Sequence, residues 1–246
     1  MPRAAREKST SGYYHILLRG ISRQNIFEDD EDNLRFIETV FRYKQELGFE
    51  LHAYCLMGNH VHMLIKDVNN QLNLIMKKIA GSYAYYFNRK YDRVGHLFQD
   101  RFKSEAVEDD TYYLTVLRYI YQNPEKAGIA STDEYEWSSY REYTNKMTKL
   151  DTSFALELLD GQENFEEYIN CINDDCCLEV KESNNMTDKQ AKKILEQEFG
   201  LTSFLQITNM PVPKRNKLLH ELKSKGLSVR QLARMTGLNR GVVQKA

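Results

Sequence analysis

Two apolar, aromatic-rich runs, Phe49–Met57 and His60–Lys66, are separated by only Gly58-Asn59. A two-residue connection of this composition signals a hairpin or a bulge, and so makes the runs antiparallel neighbours. It also assigns faces. In His60-Val61-His62 the two imidazoles point to one side of the strand and Val61 to the other. By itself such a pair is an ordinary feature of a strand. As half of a metal site it needs partners from another element.

The rest of the first 148 residues alternates in the same way. Tyr13 to Arg19 reads as a strand. Asn25-Ile-Phe-Glu-Asp-Asp-Glu-Asp opens a helix with acids in its first turns, where the helix dipole favours them. Leu34, Ile37, Val40, Phe41, Tyr43 and Leu47 repeat at helical spacing, and Gly48 ends the run. Leu72 to Tyr91 predicts a second helix, with Leu74, Ile75, Ile79, Tyr83, Tyr86 and Phe87 at its apolar positions. Gly95 to Val107 predicts an extended segment, and Thr111 to Gln122 a helix closed by Pro124. The order β-α-β-β-α-β plus a further helix predicts an α+β, ferredoxin-like antiparallel sheet with helices on one face. The two histidines fall on a central strand, and the opposite face is left for the Tyr119 helix.

Residues 1–12 read as a flexible basic arm with Arg3, Arg6 and Lys8, and 13–148 as the main domain. Residues 149–186 are acid-rich, with helical apolar spacing followed by a linker. Residues 187–246 predict an all-α region. There, Ser228 and Gln231 form a capping box, Ala233 is small where helices cross, Gly237 suits a turn with φ > 0, and Asn239 can cap a further helix. Val229, Leu232, Leu238 and Val243 supply core positions. This is helix-turn-helix spacing, with a plain helical hairpin as the alternative. Arg230, Arg234 and Arg240 are among the cations around it, and they suit phosphate contact.

Composition narrows the partners. With 34 Lys and Arg against 35 Asp and Glu, the formal net charge is −1. Nucleic-acid binding must therefore come from local patches. No apolar run approaches the ~18 residues of a membrane span, and the first residues contain no apolar core of a secretory signal. Cys171, Cys176 and Cys177 lack paired zinc-site spacing, and Cys55 lies in an apolar strand. Thiols without disulfides suit a reducing cytosol.

The partners for the histidine pair come from Arg-Tyr-Ile-Tyr-Gln-Asn-Pro. Tyr119 and Asn123 sit at i and i+4 and share a helix face. Two imidazoles and an amide oxygen tolerate Mg²⁺ or Mn²⁺, and would also take Zn²⁺, Co²⁺ or Ni²⁺. A tyrosine hydroxyl beside such a cation could attack a phosphate. The sequence names no clear general base. Glu105 and His96 are near only along the chain.

Many segments in order, from Tyr-Tyr-His-Ile-Leu-Leu-Arg-Gly at 13–20 to Trp-Ser-Ser-Tyr at 137–140, resemble the single-tyrosine HUH transposases, in their REP-associated branch. Between these ends lie Ala-Tyr-Cys-Leu-Met-Gly-Asn-His-Val-His-Met-Leu-Ile and Gly-His-Leu-Phe-Gln-Asp-Arg-Phe-Lys-Ser. The resemblance spans roughly residues 10–145. It implies His60, His62 and Asn123 as metal ligands and Tyr119 as the nucleophile. Insertion-sequence members often carry Gln where this chain has Asn123. Lys126 stands where the branch often has Arg, keeping the charge and losing the bidentate fork.

The implied activity is that of a bacterial, cytoplasmic, DNA-associated enzyme. It would cut and rejoin single-stranded DNA near hairpins through a 5′-phosphotyrosine, with Mg²⁺ or Mn²⁺ as cofactor. Arg3, Arg6 and Lys126 would contact that DNA. The C-terminal region would add contacts to duplex DNA, and the chain would act as a monomer or homodimer. Two rivals remain open: a non-catalytic, sequence-specific DNA-binding regulator on the same scaffold, and a metal hydrolase that uses water in place of Tyr119.

Overall fold

Alternation along the first strand sets the layers. The structure, a computed structural model, describes residues 7–143, 148–173, 175, 177–178, 188–225, 227 and 229–246. In β1 (Tyr13–Arg19), Tyr14, Ile16 and Leu18 enter one core cluster while Tyr13 enters another. β1 pairs antiparallel with both β3 (His60–Lys66) and β4 (Lys103–Val107). β2 (Glu50–Met57) pairs antiparallel with β3, giving the order β2-β3-β1-β4. The histidine strand is therefore central. The β2–β3 register shifts between Leu51 and Ala53, so these residues serve opposite faces despite their even spacing.

Helices cover both faces, which is why the central strands are apolar on both sides. α1 (Asp30–Leu47) starts on Asp29, whose carboxylate accepts from the Asp32 N–H, and ends at Gly48 in the left-handed conformation, φ 70°. α2 (Leu72–Lys90) starts where the Asp67 carboxylate accepts from the Gln71 and Leu72 N–H groups. Phe36, Val40, Ile75, Ile79 and Tyr83 from these helices fill the first core. α3 (Asp110–Lys126) lies on the other face with Tyr113, Val116, Leu117 and Ile120, capped by Asp109 accepting from the Tyr112 N–H. α4 (Ser153–Leu158) and α5 (Gln162–Asn170) complete that second core with Ala155, Phe165 and Ile169.

The chain divides into two compact units, Met1–Leu178 and Glu179–Ala246. In the second, α6 (Asp188–Phe199), α7 (Leu205–Thr208), α8 (Val212–Ser224), α9 (Val229–Thr236) and α10 (Arg240–Lys245) surround Leu195, Ile207, Leu219, Leu222, Leu232 and Val243. Gly237 adopts φ 75° between α9 and α10, and the Asn239 side chain accepts from the Gly241 N–H. Among the described residues, no helix is long and apolar enough to cross a membrane.

Within the acidic stretch, α4 and α5 carry the helical apolar spacing expected there and pack into the first unit through Ala155, Phe165 and Ile169. The linker and the cap at Ser228 fall outside the described residues. Several expectations change. Regular β4 pairing is confined to Lys103–Val107. α3 continues two residues past Pro124, because a proline in the last turn forfeits only one backbone bond. Leu34 and Leu74 face outward, and Phe36 takes the core position.

Phe36 is 1 % exposed and meets Phe27 and Tyr83 edge-on. Phe36→Ala is expected to cost about 3–5 kcal/mol, read as a lower urea midpoint for the first unit. An unchanged midpoint would show that this aromatic cluster does not hold α1 and α2 on the sheet.

Candidate active site

The hairpin before the histidines is held from outside. The Gly20 N–H donates to the Asn59 carbonyl at 2.9 Å, and the Ile26 and Phe27 N–H groups donate to the Gly58 carbonyl. A side chain at Gly20 would collide with the Gln24 carbonyl, so glycine is what fits here. The turn residue also orients its neighbour. The Asn59 side-chain oxygen lies 2.6 Å from His60 Nδ1. An amide oxygen only accepts, so Nδ1 carries the proton and Nε2 keeps its lone pair.

His62 is 2 % exposed on the same sheet face. Its Nδ1 lies 2.9 Å from Nε2 of His15, a fully buried histidine of β1. The His60 and His62 rings are 5.0 Å apart between centroids, and the His15 and His62 rings 5.1 Å. Behind His15, a Glu105 carboxylate oxygen lies 3.9 Å from Nδ1. Burial, helped by the Arg19 charge, pushes the His60 pKa down to about 4. Burial and the neighbouring His15 and His60 hold His62 well below its ordinary value. Burial also lowers His15, against the pull of Glu105. The rings are neutral at pH 7, the form that binds metals.

α3 brings Tyr119 onto this face. The Tyr119 ring meets His62 edge-on at 5.6 Å and His15 at 5.7 Å, within a single chain, and is 5 % exposed. Asn123 lies one turn on. Its amide nitrogen donates to the Tyr119 carbonyl at 2.7 Å, leaving the amide oxygen as its accepting end. Lys126 sits 5.6 Å from the Tyr119 ring centroid and donates to the Asn173 side chain and the Asp175 carbonyl.

No group of three or more His, Cys, Asp or Glu that could hold a metal occurs among the described residues. A cation here therefore needs a ligand beyond the two histidines. The neutral His60 and His62 rings and the Asn123 amide oxygen are a donor set that fits a borderline or hard divalent ion.

The remaining sequence candidates separate from this site or fall outside it. Arg3, Arg6 and the Arg230 side chain lie outside the described residues. Arg234 and Arg240 are exposed in the second unit. Glu105 faces His15. His96 lines an open groove of about 1020 Å³ with Tyr14, Met76, Lys77, Phe98 and Arg101, and Tyr14 and Met76 belong to the α1–α2 core. His15 was missed by sequence reasoning. Its only local signal is a polar ring inside the apolar run Tyr13–Arg19.

Protonating any of these rings puts charge into a buried site, so the unfolded chain takes the proton first. Their stabilising contribution is complete above the ordinary value of 6.5 and is lost as pH falls below it, for His60 down to about 4. One ring contributes a slope of at most ~1.4 kcal/mol per pH unit. The metal-free protein should lose urea stability between about pH 6.5 and 5, before most carboxylates titrate. His60→Gln should make that slope shallower. A stability flat across this window would contradict the burial of the histidines.

Comparison with known proteins agrees with the architecture. Residues 8–123 match the family described as transposase IS200 like. No curated protein sequence matches the chain. A solved REP-associated tyrosine transposase bound to a REP hairpin is similar in fold, with 18% identity and a TM-score of 0.50, over 59% of this chain and 87% of that one. A candidate transposase from Deinococcus radiodurans R1 aligns at 16% identity and a TM-score of 0.36, over 53% of this chain and 99% of that one. The stretch from residue 8 to residue 123, which is similar to the IS200-like transposase family, carries the sheet, the histidine pair and Tyr119.

Proposed function

We propose that this chain is a metal-dependent, single-tyrosine transposase that cleaves and rejoins single-stranded DNA beside hairpins. The observation that carries the reading is the meeting of Tyr119 with His62 on the inner sheet face, inside the segment that matches the family. The hairpin substrate is suggested by the fold neighbour, which was solved with a REP hairpin. We read the βαββαβ succession as a ferredoxin-like scaffold. The chain would work in the cytoplasm of a bacterium, as a monomer or homodimer.

His60 and His62 would hold the cation through Nε2, and Asn123 through its amide oxygen. Bound there, Mg²⁺ or Mn²⁺ would offset charge on a non-bridging oxygen of the scissile phosphate. The Tyr119 hydroxyl attacks phosphorus, and the bond to the 3′-oxygen breaks. The phenolic proton is lost and the departing 3′-oxygen gains one, leaving DNA joined to Tyr119 through a 5′-phosphotyrosine. Attack by another 3′-hydroxyl reverses the step, so rejoining needs no nucleotide. Burial against the neutral imidazoles fixes the direction of the Tyr119 ring before substrate arrives. Lys126 beside that ring would contact the DNA backbone, together with Arg3 and Arg6.

The turn at Gly237 and the Asn239 cap support reading α9 and α10 as a helix-turn-helix. Arg230, Arg234 and Arg240 would then contact duplex DNA.

Labelled single-stranded hairpins incubated with the protein and Mg²⁺ or Mn²⁺, then resolved under denaturing conditions, test the reading. The expected result is a covalent protein–DNA adduct that Tyr119→Phe abolishes and His60→Ala reduces at least ~100-fold. Cleavage that survives Tyr119→Phe without an adduct would indicate a water-using hydrolase. Binding by the wild type with neither cleavage nor adduct would indicate a regulator.

A further inference from the structure

A histidine and a carboxylate stand behind His62 in a line that the transesterification does not use. β1 pairs with β4 so that His15 lies opposite Glu105, and with β3 so that Leu17 lies opposite His62. His15 thus reaches His62 diagonally on one side and Glu105 directly on the other. His15 Nδ1 and Glu105 Oε2 are both buried atoms without a hydrogen-bonding partner, and they face each other at 3.9 Å. The Glu105 side chain as a whole is 36% exposed, at the sheet edge. Its charge therefore keeps contact with water on one side while reaching a fully buried ring on the other.

Two neutral imidazoles joined at 2.9 Å share one proton, and it can sit in two ways. If His15 donates, its Nδ1 turns a lone pair towards the carboxylate, and His62 is left protonated on Nε2. If His62 donates, its Nε2 keeps a lone pair, and the His15 proton moves to Nδ1, where the carboxylate attracts it. The second arrangement is electrostatically favoured, and it matches the proton position that Asn59 sets on His60.

We propose that Glu105 and His15 are positioning residues which fix the His62 proton on Nδ1 and so present Nε2 to a divalent cation. This rests on the reading of His60 and His62 as metal ligands. Neither Glu105 nor His15 touches the reacting atoms. Glu105 is the negative end of the line, and His15 passes its polarity through the sheet.

The test uses full-length, ¹⁵N-histidine-labelled protein without metal, near neutral pH. Long-range ¹H–¹⁵N spectra distinguish the two tautomers of each ring. Wild type should show His62 protonated on Nδ1. Glu105→Ala should bring the Nε2-protonated form into the mixture, with unchanged circular dichroism. Glu105→Gln, which keeps an accepting oxygen and loses the charge, should fall between them. Mn²⁺ affinity should drop about tenfold in Glu105→Ala, and His15→Gln should do the same if it folds. A His62 tautomer unchanged in Glu105→Ala, with Mn²⁺ affinity within about twofold of wild type, would overturn the relay. Equal Mn²⁺ binding by wild type and His60→Ala would overturn the ligand reading and this proposal with it. That failure is distinguishable, because the tautomer of His62 would still respond to Glu105→Ala.

Discussion

Everything at the site depends on the antiparallel pairing of β1 with β3. That register sets Leu17 opposite His62 and Arg19 opposite His60. His15 and His62 then become diagonal neighbours on one face, within the reach of two rings across a sheet. A slip of one residue would send His15 into the layer of Phe36 and Tyr83 and put Ile16 against His62. Apolar Tyr14, Ile16 and Leu18 oppose such a slip, because each would lose its place in the first core. The polar line is thus aligned by the apolar residues that alternate with it.

The second core must accept rings that would prefer water. Burying an unpaired imidazole is costly, whereas one that bonds a second imidazole or an amide recovers most of that cost. His15 and His62 recover it from each other, and His60 from Asn59. Burial also keeps them neutral, so the environment that is expensive for charge preserves the lone pairs that the ligand role proposed for His60 and His62 would use. α3 is seated by bonds away from the site. The Tyr113 hydroxyl bonds His52 Nδ1 at 2.9 Å, and the Gln122 amide donates to the Ile169 carbonyl. Tyr119 between these anchors sits on a rigid element, which suits the phosphate attack proposed for it.

Local signals carried much of this. The hairpin, the facing of His60 and His62, the Gly48 end of α1 and the shared face of Tyr119 and Asn123 follow from local spacing; the Asp29 cap, four residues after the expected opening at Asn25, does not. Other features needed distant information. His15 is one polar residue in an alternating strand, and nothing local tells a buried ring from an exposed one. Its meaning appears only with partners 47 and 90 residues away. In α1 the apolar repeat is broad enough to rotate, so Leu34 was placed inside and Phe36 overlooked. In α5 the helical apolar spacing is visible beside Glu163, Glu166 and Glu167, but where Phe165 and Ile169 pack is not. The DNA contacts proposed for Arg230, Arg234 and Arg240 come from charge and spacing, and those for Arg3 and Arg6 from the resemblance to the family.

The end of α3 shows one residue meeting two demands. A residue before proline is disfavoured in helical conformation, yet Asn123 is helical and followed by Pro124. Its side-chain nitrogen donates to the Tyr119 carbonyl, which already accepts the backbone bond expected within a helix. A carbonyl has two lone pairs and can take both. The second bond fixes which way the amide turns. The oxygen left over has a set direction. Aspartate could not make this bond, since two acceptors would face each other. Glutamine here would extend the oxygen by about 1.5 Å on one more rotatable bond. The shorter amide trades reach for a fixed orientation.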